Sequence, residues 1–569
     1  MANALEAASL VMIPSGYEDG TLGSLKPTDG SGDFTFSRGS NLSATRINEQ
    51  GYIEKGYENL LEQSNSFLTT WSQVGSFNIL GSQQGYDSSN NAWSIESNNT
   101  AFDRRIQQSL SLSGVHTFSV YAKSNSTDWI LFYNGTDRVY FDLANGVVGS
   151  SQSGLIIDSK IEPTSVTGWY RCTATFNRGI SFISVVPASG DGNSNVLAGN
   201  SIYIQDAMLN QGLVAYPYIE TTTAPVAGGI LEDEPRIDFS DGCGHLLLEP
   251  KRTNLITHSE YFEGSGWVVL NGITLDANNT TSPEGITNAY EVTATSINHN
   301  IYLDKAVSIS TDYTLSFYAK RGTMTDMKYA IYDSTNGSFI VSETSYYSRT
   351  SNEWSRISVN FTTPLNCFAI RIFPLRNSGV TGNVYLWGAQ LEQDATYPTS
   401  YIPTYGVSQT RLADDATTDI TSLIDTSGSV AYFEGTIQDL TGATESFRDV
   451  FALTGAGGIS LRIERRITNQ YYIQRSSATI NSGDDFNSYS DASMNDNTIK
   501  IAFKFSSTQL KLFYNGSLMQ TFDGSYNFGF TNFKFRDGTT GNNITNKNNK
   551  VLIFDTALSD DECIALTTI

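Results

Sequence analysis

Four histidines, His116, His245, His258 and His299, are the first places to look for chemistry, and no two of them stand at a metal-ligand or nucleophile–base spacing. His116 precedes a strand-like run and reads as structural. No Gly-x-Ser-x-Gly elbow and no phosphate-cradling glycine loop occurs. Glycosidases built on β-sandwiches place paired carboxylates on one strand, about 5 Å apart in the retaining type. The Glu-x-Asp-x-x-Glu spacing that would do this is missing after residue 429. Asp484-Asp485 fall in a loop-like stretch, and Asp560-Asp561-Glu562 fall at a helix start. No catalytic residue is assigned, although carboxylates from separate loops could still converge.

Binding chemistry is better supplied. Tyrosine and tryptophan stack on sugar faces while keeping a polar tip, and the chain has 30 Tyr and 7 Trp. Trp71 matches Trp267, and Trp169 matches Trp354, across an internal duplication described next, so these four are expected in the cores. Trp93, Trp129 and Trp387 lack an aromatic counterpart. Tyr329, Tyr332, Tyr346 and Tyr347 lie in the most divergent span. The ligand candidates are therefore Trp93, Trp129, Trp387, Tyr329 and Tyr332, with Tyr346 and Tyr347 beside them. No EF-hand loop is present, and Asp and Asn crowd the turns for conformational reasons. A structural calcium stays open and unassigned, and no cofactor is expected.

The segments that hold these residues occur twice. Asn59-Leu-Leu61 and Trp71 are followed by His116-Thr-Phe-Ser-Val-Tyr-Ala-Lys123, Gly168-Trp-Tyr-Arg171 and Tyr216-Pro-Tyr-Ile219. Asn254-Leu-Ile256 and Trp267 are followed by Tyr313-Thr-Leu-Ser-Phe-Tyr-Ala-Lys320, Glu353-Trp-Ser-Arg356 and Tyr397-Pro-Thr-Ser-Tyr-Ile402. From the Asn-Leu pair to the Tyr of Tyr-Ala-Lys the offsets are 62 and 64; from that Tyr to the second Trp they are 48 and 36. A repeat this long is a duplicated domain. Within it, short runs rich in Val, Ile, Thr, Phe and Tyr alternate apolar and polar, with Phe118, Val120 and Ala122 on one face and Thr117, Ser119 and Tyr121 on the other. Short strands at this spacing predict an all-β chain of tandem jelly-roll sandwiches with a mostly irregular N-terminal segment.

The expected organisation is an attachment segment over 1–58, a first jelly roll over 59–225, a packed linker over 226–253, the duplicate over 254–405, a connector over 406–428 and a third sandwich over 429–569. The linker carries an apolar run, Leu246-Leu-Leu248, that must be covered, and is expected to lie along one repeat. In the third sandwich, Asn515-Gly516 after an alternating run predicts a tight hairpin, and Ser559 with Glu562 predicts the cap of a short closing helix.

Composition narrows the partners. A formal charge of −23 over 569 residues argues against nucleic acid and anionic membranes. Four dispersed cysteines form no framework. No apolar stretch is long enough to span a membrane, and the N-terminus reads as no signal peptide, so synthesis in a cytoplasm is expected.

Phe36-Ser-Arg-Gly-Ser40, Ala44-Thr-Arg-Ile-Asn48, Gly51-Tyr-Ile-Glu54, Pro235-Arg-Ile-Asp-Phe239 and Leu246-Leu-Leu-Glu-Pro-Lys-Arg-Thr-Asn254 resemble a pattern of tailed-bacteriophage structural proteins. The repeats, with Tyr-Ala-Lys and Gly388-Ala-Gln-Leu-Glu392, look like carbohydrate-binding-module domains. The segment from Lys511-Leu-Phe-Tyr-Asn-Gly516 to Phe554-Asp-Thr-Ala-Leu-Ser559 is similar to concanavalin A-like or laminin-G-like domains. The resemblance implies a non-enzymatic head or tail fibre on the virion surface. It would be held to other virion proteins through residues 1–58, oligomeric with a trimer favoured, and adherent to host surface carbohydrate. A tail-associated polysaccharide depolymerase and a bacterial surface adhesin are the alternatives. The first copy departs from the pattern, with Asp206-Ala-Met-Leu-Asn210 where the second has Gly388-Ala-Gln-Leu-Glu392, so the two copies need not bind alike.

Overall fold

The computed structural model describes the chain apart from residues 1, 15, 16, 19, 41, 153, 154, 377, 378, 438–446, 457–459, 467–469, 477–496, 527 and 536–545. Asp484 and Asp485 lie outside the described residues. The chain is all-β, as its alternation predicts, with two short α-helices among the described residues, Ala2–Ala7 and Asp560–Thr567, and one 3-10 turn, Tyr347–Arg349. No described helix is long and apolar enough to cross a membrane.

Each repeat is a two-sheet sandwich. In the first, the strand Val115–Ser124 lies between Trp169–Asn177 and Ser201–Gln211; in the second, Asp312–Arg321 lies between Ser355–Thr362 and Gly382–Gln393. Phe118, Val120 and Ala122 point into the core together with Ile106, Phe132 and Val185 of the facing sheet. Leu315, Phe317 and Ala319 do the same against Ile301, Ile331 and Ile372. The first module has six strands in each sheet and the second has five. The two additional strands lie between Tyr-Ala-Lys and the second Trp, and they account for the longer interval there.

The duplication persists in single hydrogen bonds. Asn59 donates to the Ala207 and Ile219 carbonyls and accepts from the Leu61 and Leu209 amides. Asn254 donates to Ala389 and Ile402 and accepts from Ile256 and Leu391. The Ser64 hydroxyl meets Tyr218 at 2.8 Å and that of Ser259 meets Tyr401 at 2.6 Å. Both asparagines are fully buried, so each satisfies backbone groups that would otherwise be left unpaired where the chain enters the sandwich.

The third sandwich draws on distant parts of the chain. One of its sheets runs Arg236–Asp238, His245–Leu248, Asn546–Phe554, Ser429–Ile437, Thr498–Phe505, Gln509–Tyr514 and Ser517–Asp523, with Leu10–Met12 also paired to Asn546–Phe554. The other includes Thr21–Leu22, Phe34–Ser37 and Asp415–Asp419 beside Phe530–Lys534 and Phe447–Gly455. The sandwich therefore does not begin at 429. Residues 1–58, expected as an arm, supply Leu10, Met12, Phe34 and Phe36 to its core. The linker lies along a repeat only at its start, where Val226–Gly228 pairs with Tyr57–Asn59; Leu246 and Leu248 of its apolar run enter the core of the third sandwich, because a pair of short strands can bury an apolar face only against a sheet. The Asn515-Gly516 turn forms, with φ of 42° and 81° and Tyr514 paired to Ser517. Ser559 and Glu562 make the reciprocal cap of the last helix.

Candidate ligand site

The motifs that carry the sequence resemblance meet in the interior. Arg236 is fully buried and bonds Glu249 at 2.7 Å and also Asp414, the Thr45 carbonyl and the Ser400 hydroxyl. Arg38 reaches Asp414 at 3.3 Å, and Arg411 reaches Glu249 at 2.9 Å. Burial disfavours the Glu249 charge, but Arg411 and Arg236 outweigh it and pull the carboxyl from 4.5 down to about 2. This hub joins the N-terminal segment, linker, second module and connector.

A second buried cluster lies between the two modules. Lys55 bonds Glu260 at 2.8 Å, Glu284 at 2.6 Å and the Tyr405 hydroxyl at 2.5 Å, with its ammonium over the Tyr216 and Tyr405 rings. Burial holds the Glu284 carboxyl above its ordinary range even beside Lys55. Carboxylates from separate segments thus do converge, at Glu249/Asp414 and at Glu260/Glu284. Both pairs are bridged by a cation, and their side chains are at most 4% exposed, which suits a structural role. Among the described residues no three His, Cys, Asp or Glu side chains gather as metal ligands, and all four cysteines are free.

An accessible site lies next to the hub. A cleft of about 570 Å³ opens between the second module, the N-terminal hairpin formed by Thr45–Ile47 and Ile53–Lys55, the linker at Asp238–Ser240, and Lys547 of the third sandwich. Such a volume suits a small ligand, for which ~300–1,000 Å³ is usual. On the module side the strand Asp312–Arg321 places Tyr318 directly opposite Arg356 on one neighbour and Trp387 on the other. Arg356 lies with its guanidinium carbon 5.5 Å from the Tyr318 ring centre and donates to the Ser316 hydroxyl at 3.0 Å. Its buried Nε has no partner. Trp354 is half-buried on the cleft wall, fixed by its indole N–H to the Thr281 carbonyl at 2.8 Å. Across the cleft stand Tyr52, 47% exposed, and half-buried Phe239. Burial raises the Tyr318 phenol, with Arg356 opposing, so the hydroxyl stays a donor at neutral pH. Aromatic faces with a guanidinium, a phenol and the exposed Glu353 carboxylate at their edges can stack on a ring and bond its substituents.

The expected ligand aromatics are placed differently. Trp387 is fully buried and sits beneath Tyr401 at 4.6 Å, roofed by Ile53 of the hairpin, so it presents no face to a ligand. Trp93 does have an aromatic counterpart. Register through Ile204 and Leu386 matches it to Tyr290, and each makes an edge contact with the module's entry phenylalanine, Phe67 or Phe262. Trp129 packs half-buried on a satellite cluster with Leu131 and Val186. Tyr329 and Tyr346 are in the second core, stacked at 6.2 Å. Tyr332 is half-buried against Phe339, and Tyr347 lies under Arg321. None of these lines the cleft.

Of the four tryptophans expected in cores, Trp71, Trp169 and Trp267 are buried. Trp354 is the exception, and it is a wall of the site. Its match to Trp169 concealed it. Tyr52, Phe239 and Arg356 also escaped the sequence reading, since they come from segments more than a hundred residues apart.

No protein-family model and no curated protein matches the chain. Among solved structures it is similar to the N-terminal CBM22-1–CBM22-2 tandem domain from Paenibacillus barcinonensis Xyn10C, at 10% identity over 63% of this chain and 98% of that one, TM-score 0.20. It is similar to the tandem CBM51 modules of a family 98 glycoside hydrolase from Streptococcus pneumoniae, at 12% identity over 63% and 99%, TM-score 0.15. It is also similar to the enzymatically active domain of bacteriophage CBA120 tailspike protein 4, at 14% identity over 24% of this chain, TM-score 0.20. The chain spans about a fifth of that tailspike domain's length, 21%.

Proposed function

We propose that this protein binds carbohydrate without cleaving it, as a fibre on a bacteriophage head or tail that adheres to host surface glycans. The observation that carries the binding reading is the cleft wall of Trp354, Tyr318 and Arg356, faced by Tyr52 and Phe239. Against hydrolysis stands the fact that the two converging carboxylate pairs, Glu249/Asp414 and Glu260/Glu284, are bridged by Arg236, Arg38, Arg411 and Lys55. A retaining glycosidase needs both carboxyl groups at the scissile bond. The virion role rests on the sequence resemblance, and with it go the concanavalin-like reading of the third sandwich, attachment to other virion proteins through residues 1–58 and a trimeric assembly.

The test is retention of the protein on a broad glycan array and on host surface polymer, with reducing ends assayed in parallel. Retention without release is expected, with Trp354→Ala weakening it about tenfold or more. Release of reducing ends would overturn the non-enzymatic reading; retention indifferent to Trp354 would remove the cleft from it.

A further inference from the structure

The two modules serve as controls for each other at the cleft. Tyr121 of the first module is the counterpart of Tyr318: each lies opposite an arginine, Arg171 or Arg356, on one neighbouring strand. In both cases the guanidinium carbon is 5.5 Å from the tyrosine ring centre, and the arginine bonds the matching serine, Ser119 or Ser316. The backbone repeats as well. Both bulges carry a residue of positive φ, Asp206 at 54° and Gly388 at 61°.

What differs lies above the ring. In the first module the loop after Phe77–Gln83 folds back and lays Tyr86 on Tyr121, with centroids 3.6 Å apart and planes within 7°. The Tyr86 hydroxyl donates to Asp206 at 2.9 Å, and its amide donates to the Gln205 side chain at 3.3 Å. Trp169 is closed off by the edge of the same ring, 6.5 Å away. In the second module the corresponding loop is Ser282-Pro-Glu-Gly-Ile286, which has no aromatic residue, and the position of Asp206 is Gly388. The plug and its latch are therefore lost together. A Cβ at Gly388 would stand 3.2 Å from the Tyr318 ring and 3.3 Å from that of Tyr401, so a latch there would crowd the platform. Tyr318 lines the cleft together with Trp354, the counterpart of covered Trp169, and both also pack against the cluster of Ile53, Trp387 and Tyr401.

We infer that a pyranose ring stacks on Tyr318 where Tyr86 stacks on Tyr121, so that the chain carries one open ligand site and one closed copy of it. This rests on the carbohydrate reading above and makes it specific. The ring's apolar face lies on Tyr318, and its hydroxyls meet Arg356 and the Tyr318 phenol. The first module is then a self-filled site, with its own tyrosine acting as the ligand.

Two probes separate the stacking site from the sugar. p-Cresol has the ring and hydroxyl of the tyrosine side chain; p-nitrophenyl hexopyranosides supply the sugar. Binding to the full chain is followed by equilibrium dialysis and saturation-transfer NMR. p-Cresol is expected at one equivalent per wild-type chain, weakened about tenfold or more by Tyr318→Leu, which keeps bulk but loses the flat face. Tyr86→Ala should raise the count to two. Should that variant fail to fold, wild type and Tyr318→Leu still decide. Absence of p-cresol binding to wild type, or binding indifferent to Tyr318→Leu, overturns the inference. p-Cresol binding that no hexopyranoside displaces would leave the stacking site standing and remove the pyranose. Hexopyranoside binding untouched by Tyr318→Leu would keep the carbohydrate reading and sink this placement of it.

Discussion

Arg236→Met removes the centre of the buried hub while keeping much of its length and apolar volume. In the native protein the charges of Arg38, Arg236 and Arg411 face those of Glu249 and Asp414, and Glu392 also acts on Arg411. With Arg236 gone, Glu249 keeps Arg411 at 2.9 Å and Asp414 keeps Arg38 at 3.3 Å, but one buried negative charge is left uncompensated and the Thr45 carbonyl loses its donor. Breaking a buried pair from one side costs about 3–5 kcal/mol. Since the hub ties the segments that build the third sandwich, the loss should show as local opening. Hydrogen exchange read by mass spectrometry over residues 34–47 and 236–249 should rise by about two to four orders of magnitude.

Acid should act on the same hub. Glu249 titrates at about 2 in the folded chain against 4.5 ordinarily, so its stabilisation is fully present above pH 4.5 and is lost as pH falls from there toward 2. At about 1.4 kcal/mol per tenfold change in proton affinity, that is about 3 kcal/mol. Glu249→Gln should lose a similar amount at neutral pH and flatten this part of the acid profile. Exchange in Arg236→Met equal to wild type would refute the reasoning, because it would mean that a hydrophobe in this site is as good as the ion network, as happens in some proteins.

Asn59→Ala and Asn254→Ala each remove four hydrogen bonds that a fully buried side chain makes to the backbone, and each should destabilise its own module by about 3 kcal/mol or more. Urea unfolding followed by tryptophan fluorescence should give costs within about 1 kcal/mol of each other, as equivalent positions in a duplication demand. Gly114, at φ 94°, is one of the places where the modules touch, and a Cβ there would fall 1.9 Å from the Tyr405 carbonyl oxygen. Gly114→Ala should loosen the contact between modules, costing about 2 kcal/mol or more. Small-angle scattering should then report a larger radius of gyration, and an unchanged profile would show that the connection yields elsewhere.

The all-β class, the duplication, the Asn515-Gly516 hairpin and the capped closing helix were all legible in the sequence, because each depends on neighbours a few residues away or on strict alternation along a strand. The matched Asn59 and Asn254 were visible as marks, though not what they bond. The make-up of the third sandwich was not legible. Leu10–Met12, Arg236–Asp238 and Asp415–Asp419 are too short to bury a face alone, and which sheet receives them depends on pairings hundreds of residues distant.

The same limit governed the site. Aromatic residues that fail to match across repeats seemed free for ligand, yet Trp387 is sealed by Ile53 from the N-terminal hairpin, while Trp354, which does match, faces the cleft. Whether a ring is covered depends on what lies above it, and in the first module that is Tyr86 from a loop which the second lacks. Strands, their faces and their repetition follow from residue order alone, since backbone alternation is local. Which faces meet protein and which meet solvent is settled in the folded chain, since that is a property of long-range packing.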